Sequence, residues 1–138
     1  MTTANYEEKF GHLGDLANVK ISNIRGHVNI TSWAQDEVEI KATVDLDSGD
    51  EELTQVRIFQ EKNGRVVAKV EFNNGHNWIR FSKPCIVDFE VRVPQKCNLK
   101  VSTVSSSADI IGVEGRIKVS SVSGKTYVEE LTGDLDLN

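Results

Sequence analysis

Glycines at positions 115, 124 and 133 fall nine residues apart, and the residues at +2, +4 and +7 after each are mostly apolar. Gly115 heads Ile117, Val119 and Val122; Gly124 heads Thr126, Val128 and Leu131; Gly133 heads Leu135 and Leu137. Counting back by nine, Ser106 heads Ala108, Ile110 and Val113, and Cys97 heads Leu99, Val101 and Val104. Two more copies lie near the N-terminus, where Ala17 heads Val19, Ile21 and Ile24, and Gly26 heads Val28, Ile30 and Trp33. Alternate copies are most alike, so the stronger period is 18, made of two unequal halves. A fixed period marks a chain whose units bury their apolar faces by stacking on their neighbours.

The spacing inside each copy sharpens this. A flat strand buries +2, +4 and +6, because side chains alternate with period two. Here the third apolar position is +7, so the chain bends around +5 and +6 and again at the glycine, where unusual backbone angles are tolerated. The spacing therefore predicts a β-solenoid-like coil of nine-residue half-turns. Leu99, Ile117 and Leu135 stack in one interior column and Val101, Val119 and Leu137 in the next, with rungs ~4.8 Å apart. The alternative is an antiparallel β-sandwich of nine-residue strands.

The segment between the repeat blocks alternates with a strict period of two. Val38, Ile40, Ala42, Val44 and Leu46 form a half-buried strand, followed by an acidic loop over 45–52. Residues 55–61 and 65–72 flank Asn63-Gly64, a strong hairpin signal, and 78–82 reads as a short strand. Cys85, Val87, Phe89, Val91 and Val93 alternate with polar residues until Pro94. The expected organisation is one all-β repeat domain over 1–138: a first repeat pair at 17–34, strands and an antiparallel hairpin insertion at 35–96, and nonapeptide repeats at 97–138. The first 14 residues read as a loose tail or short cap. Seventeen Val and 10 Ile against 8 Leu and 6 Ala agree with a β-rich chain.

The run Val87-Asp88-Phe89-Glu90-Val91-Arg92-Val93-Pro94, the copies at 99–105 and beyond, and Gly26-His27-Val28-Asn29-Ile30-Thr31-Ser32-Trp33 together resemble the bacterial putative-adhesin family of β-strand-repeat proteins, a domain of unknown function. The resemblance spans roughly 17–138. It implies an all-β, right-handed solenoid-like fold with no known catalytic residues or cofactor. The chain departs from the family pattern in showing no leader or anchor and in stopping at Asn138.

Charge and composition narrow the function classes. A formal charge of −5 argues against nucleic acid as a partner, and no apolar run approaches the ~20 residues of a membrane span. No signal-peptide core is visible in the first 16 residues, which leads to a cytoplasmic expectation, or a cell-surface one if the sequence is truncated. Cys85 and Cys97 flank a strand-like segment ~26 Å long at ~3.3 Å per residue, so two free thiols are expected.

Candidate chemistry is thin. The acidic residues Asp45, Asp47, Asp50, Glu51 and Glu52 miss a calcium-loop pattern, with Gly49 and Val56 where ligands belong. A nonapeptide calcium roll needs an Asp at a fixed place, and Ser102, Ile111, Ser120 and Glu129 do not supply it. His12, His27 and His76 have no second ligand at zinc spacing. Asp88, Asp109 and Glu129 could share a sheet face, as in a carbohydrate-active enzyme, but Lys100 and Lys118 on alternate copies read as ordinary charge mixing. No catalytic, cofactor or metal site is therefore assigned.

The candidate interaction surface comprises the outward Ile111 and Tyr127, the exposed last rung at Leu135 and Leu137, and His76 and Trp78 in a turn-rich loop. The last rung suggests self-association through an unpaired β edge. The function expected is a non-enzymatic scaffold or interaction module with a protein or carbohydrate ligand. The alternatives are a carbohydrate-active enzyme on a β-helix scaffold and a regulatory partner in an envelope-stress system.

Overall fold

Alternating apolar and polar side chains place the chain in strands throughout the computed structural model, which describes residues 2–11, 14–72 and 83–138. The strands are β1 (Thr3–Gly11), β2 (Ala17–Trp33), β3 (Glu37–Asp45), β4 (Thr54–Gln60), β5 (Val66–Phe72), β6 (Ile86–Pro94), β7 (Cys97–Ile111), β8 (Ile117–Ser123), β9 (Thr126–Glu129) and β10 (Leu135–Leu137). They form a mixed, unclosed sheet, and no helix occurs among the described residues.

The long strands β2 and β7 each run through two ladders. Their first halves belong to the order β4-β5-β2-β7-β8-β10 and their second halves to β1-β3-β6-β2-β7-β9. The C-terminal register follows the 18-residue period: Leu99 pairs Ile117 and Val101 pairs Val119, both parallel, and Leu135 and Leu137 pair these two in turn. In the second ladder Ala108 pairs Thr126 and Ile110 pairs Val128, again 18 apart and parallel. The N-terminal copies join the same columns through β2 and β7, with Val19 beside Leu99 and Ile30 beside Ile110. Antiparallel strands flank this parallel stack, β1, β3 and β6 in one ladder and the β4–β5 hairpin in the other.

One core serves both ladders. Ile21, Val101 and Val119 from the first meet Val28, Ile30, Ala108 and Ile110 from the second, with Val87, Phe89 and Val91 of β6. Each fully buried Val or Ile contributes roughly 1.5–3 kcal/mol through removal of its surface from water. Glycine lets the rungs close on each other: a Cβ on Gly115 would sit 2.2 Å from the Cys97 carbonyl oxygen, and one on Gly26 at the same distance from that of Val87. Both have positive φ, +156° and +123°, which side-chain-bearing residues rarely adopt.

The structure corrects one part of the repeat reading. At the bend between ladders the +7 residues Val104 and Val122 turn outward, Val122 being 81% exposed, while Ile24 is only partly buried against the core. The +6 residues Asn23 and Thr103 are buried instead. Period two persists into the corner, so a polar side chain goes inside. Asn23 suits that place because its Nδ2 donates to the Val87 carbonyl (2.9 Å) and to Ser106 Oγ (3.1 Å), tying β2 to β6 and β7. Of the other +7 residues, Val113 is buried and Trp33 and Leu131 are partly buried.

The N-terminal segment read as a loose tail is largely strand β1, fixed along β3 from Thr3 opposite Asp45 to Gly11 opposite Glu37. Phe10 and Ala4 pack against the core, an apolar contribution too sparse to signal a strand by pattern. The hairpin at Asn63-Gly64 is present, with Gly64 at φ +92°. Cys85 and Cys97 are buried free thiols. His76, Trp78 and the strand read over 78–82 lie outside the described residues.

Candidate functional site

The outward positions of the second ladder line up in rows across the sheet, because in-register neighbours share a face. One row runs Asn5, Thr43, Asp88, His27, Ser107 through β1, β3, β6, β2 and β7. The next runs Glu7, Lys41, Glu90, Asn29, Asp109, Tyr127, ending on β9. Between β1 and β2 these side chains line a trough of about 660 Å³. Its floor is the strands themselves, with Ala42 and Phe89 turned into the core.

His27 stands at the inner wall of the trough and is held from β7. Ser107 Oγ lies 2.5 Å from Nδ1 and Asp109 Oδ2 lies 3.1 Å from Nε2. An ionised carboxylate only accepts, so Nε2 donates to Asp109, and in the tautomer protonated at Nε2 alone Nδ1 accepts from the Ser107 hydroxyl. The ring is thereby locked in orientation. Gly26 positions it: with no Cβ, β2 approaches the β6 backbone closely enough to set His27 directly opposite Asp88.

Serine, histidine and aspartate in hydrogen-bonded sequence invite comparison with an acyl-transfer site. Such a site needs free backbone donors beside the nucleophile to hold an oxyanion. The amide following Ser107, that of Ala108, is spent on the Lys125 carbonyl at 2.9 Å. The arrangement can orient a hydrogen-bonding ligand.

Electrostatically the trough is acidic. Glu7, Asp88 and Glu90 enter no ion pair among the described residues, while Lys41 is shared with Glu39 at 3.7 Å, and Lys9 reaches Glu39 at 3.5 Å. Among the described residues no group of three or more His, Cys, Asp or Glu is placed to hold a metal ion.

The sequence-derived candidates are distributed as follows. Ile111 and Tyr127 lie on the outward face of β7 and β9, on diagonal rather than directly opposed positions, since Asp109 pairs Tyr127 and Ile111 pairs Glu129. Tyr127 is 53% exposed and extends the Asn29–Asp109 row. Asp88, Asp109 and Glu129 do share this face, yet a histidine and an asparagine intervene. Leu135 and Leu137 are at β10, half-exposed and paired only to β8 among the described residues. His27 was weighed only as a metal ligand and Asp88 only with Asp109 and Glu129, while Ser107, Glu7 and Glu90 escaped the sequence reading. Their signal lay in the repeat phase: His27 and Ser107 both occupy +1, and Asn29 and Asp109 both occupy +3.

No family model matches the chain, and no curated protein matches it. Solved structures do share its fold. One, described as "a putative cell adhesion protein" from Clostridium sporogenes, aligns with a TM-score of 0.55 at 6% identity, covering 99% of this chain and 99% of that one. Another, a "putative lipid binding protein" from Parabacteroides distasonis, aligns with a TM-score of 0.50 at 9% identity, covering 98% of this chain and 61% of that one. A third, "a putative adhesin" from Parabacteroides merdae, gives 0.41 at 14% identity, over 90% of this chain and 55% of that one. The adhesin-like resemblance read from the sequence thus has its counterpart among solved structures. At these identities the first two likenesses define the fold alone.

Proposed function

We propose that this chain is a non-enzymatic interaction module whose ligand lies in the trough beside His27. The supporting observation is the histidine itself, fixed from both ring nitrogens on a strand-built wall beside Glu7, Asp88 and Glu90, which enter no ion pair among the described residues. Recognition groups held on rigid strands need no ordering when a ligand arrives. The cell-adhesion description of one fold neighbour is compatible with a binding role. The spent Ala108 amide weighs against acyl transfer. Underlying the module, in this reading, is a coil of two strands per 18-residue turn, supported by the parallel registers of β7 with β8 and β9 and of β8 with β10.

A glycan and peptide array probed with the wild type and with Asp88→Lys/Glu90→Lys tests this. The reading expects ligands bound by the wild type and lost on the reversed trough. Identical profiles for the two proteins would overturn it.

Self-association through the last rung is a second element of the proposal, favoured by the exposure of Leu137, at 54%, beside the outer edge of β10. Sedimentation velocity over a concentration series should show a dimer that Leu135→Lys/Leu137→Lys abolishes. A wild type that stays monomeric at its highest soluble concentration removes this element.

A further inference from the structure

The outer face of the first ladder carries a different chemistry. Lys20, Lys100 and Lys118 stand directly opposite one another on β2, β7 and β8. Neighbouring strands are ~4.8 Å apart, and like charges in directly opposed positions destabilise a sheet. Sequence alone made Lys100 and Lys118 look like ordinary charge mixing; the register makes them a column.

Other cations on this face are neutralised. Arg57 and Lys69 share Glu71 at 3.4 and 3.1 Å, and Arg65 pairs with Glu61. The three lysines enter no ion pair among the described residues; Asp136 stands opposite Lys118 without closing on it. Lys100 and Lys118 line a shallow cleft of about 190 Å³ with Arg116, Asn18 and Asn98. Lys20 lies within electrostatic reach of Glu61 and Lys118 stands opposite Asp136, so the column is only partly compensated, and the repulsion that remains among its opposed lysines is a cost that an anionic ligand would relieve.

The flanking rows indicate what kind of anion. Asn18 and Asn98 lie on one side, two residues along the strands, with Asn98 Nδ2 donating to Asn18 Oδ1 at 3.3 Å. Ser22, Ser102 and Ser120 form a matching row on the other side. Amides and hydroxyls on both sides of a charge column suit a polyol. The three rows contain no aromatic side chain on which a nucleobase could stack; the apolar Ile24, Val104 and Val122 lie beyond the serine row, in a separate groove that the serines also line.

We propose that this face binds an acidic polysaccharide laid across the strands, its carboxylates meeting Lys20, Lys100 and Lys118 and its ring hydroxyls meeting the asparagine and serine rows. This site is separate from the trough at His27 and does not depend on it.

The test is titration of the intact chain with an oligogalacturonate, followed by calorimetry and by amide shifts in labelled protein. The same oligomer with its carboxyls methyl-esterified serves as the uncharged control. Wild type should bind the acid form with log affinity falling against log salt at a slope of about −2, as for three lysine contacts. Shifts should concentrate on outward residues of β2, β7 and β8. Lys20→Gln/Lys100→Gln/Lys118→Gln should weaken binding by about tenfold or more. At low salt it should also melt about 1–5 °C higher, because the opposed charges are gone. Lys9→Gln/Lys96→Gln/Lys125→Gln, with the same net charge, should bind as the wild type does. Equal binding of the esterified oligomer, wild-type affinity in the first variant, or shifts confined to the other face would each overturn the proposal. So would polyphosphate or single-stranded DNA binding at least as tightly through the same lysines. Shift mapping on the wild type decides the matter even if a variant folds poorly.

Discussion

Replacing Gly115 with alanine isolates the contact on which the stacking of rungs depends. The added Cβ would lie 2.2 Å from the Cys97 carbonyl oxygen, where separations under 3.0 Å do not occur, so the two backbones must part by at least 0.8 Å. Those backbones are hydrogen-bonded around that point: Cys97 N donates to the Glu114 carbonyl at 2.9 Å, and Leu99 N to that of Arg116 at 2.9 Å. The φ of +156° adds its own penalty for a side-chain-bearing residue. Backbone strain of ~1–3 kcal/mol and overpacking of a similar size give a loss of about 2–6 kcal/mol. Gly64→Ala is the matched control, with φ +92° and nothing within 4 Å of its Cβ, so it should cost only about 1 kcal/mol. Urea unfolding of both variants measures the difference, with an unchanged slope expected if the folded and unfolded states keep their compactness. Equal losses in the two variants would mean that residue 115 does not press on the preceding rung.

Asn23→Ala should cost about 1–3 kcal/mol in chemical denaturation, because it strips the Val87 carbonyl and Ser106 Oγ of a buried donor; an unchanged midpoint would mean water replaces the amide. Burial pushes the Cys97 thiol up from 9.0 to about 12. The folded chain therefore keeps this proton where the unfolded chain loses it, so stability is unaffected below pH 9 and falls as pH rises from 9 toward 12. Comparing that decline in the wild type and in Cys97→Ala checks the sign; identical declines would assign it elsewhere. His27→Ala should leave the melting temperature nearly unchanged, since the ring is half-exposed, while removing whatever ligand the array identifies. A large loss of stability would make His27 a structural residue.

Periodicity made the stack legible. Columns such as Leu99–Ile117–Leu135 follow from counting by 18, and the hairpin follows from Asn63-Gly64, because both depend on local spacing. The outward turn of Val104 and Val122 was not legible. An apolar residue at +7 looks interior, and only the partners of Asn23 across three strands show that a polar group takes the inner place. Strand β1 was missed because its core-facing row, Ala4, Tyr6, Glu8 and Phe10, is interrupted by a charge and leaves little trace in hydropathy. The functional surfaces were hidden more deeply. His27 and Asp109 are 82 residues apart in sequence and meet only because β2 and β7 pair in parallel. The lysine column likewise needs the registers of both β2–β7 and β7–β8 before three scattered residues become neighbours.

Both surfaces rest on strands pairing in parallel at the repeat spacing, and through-space proton contacts in labelled protein read that pairing directly. The account predicts backbone NOEs joining each residue of 99–103 to the residue 18 positions later, continuing from Ile117 and Val119 to Leu135 and Leu137. Close Hα–Hα contacts of an antiparallel pair among these segments, or an offset other than 18, would contradict it.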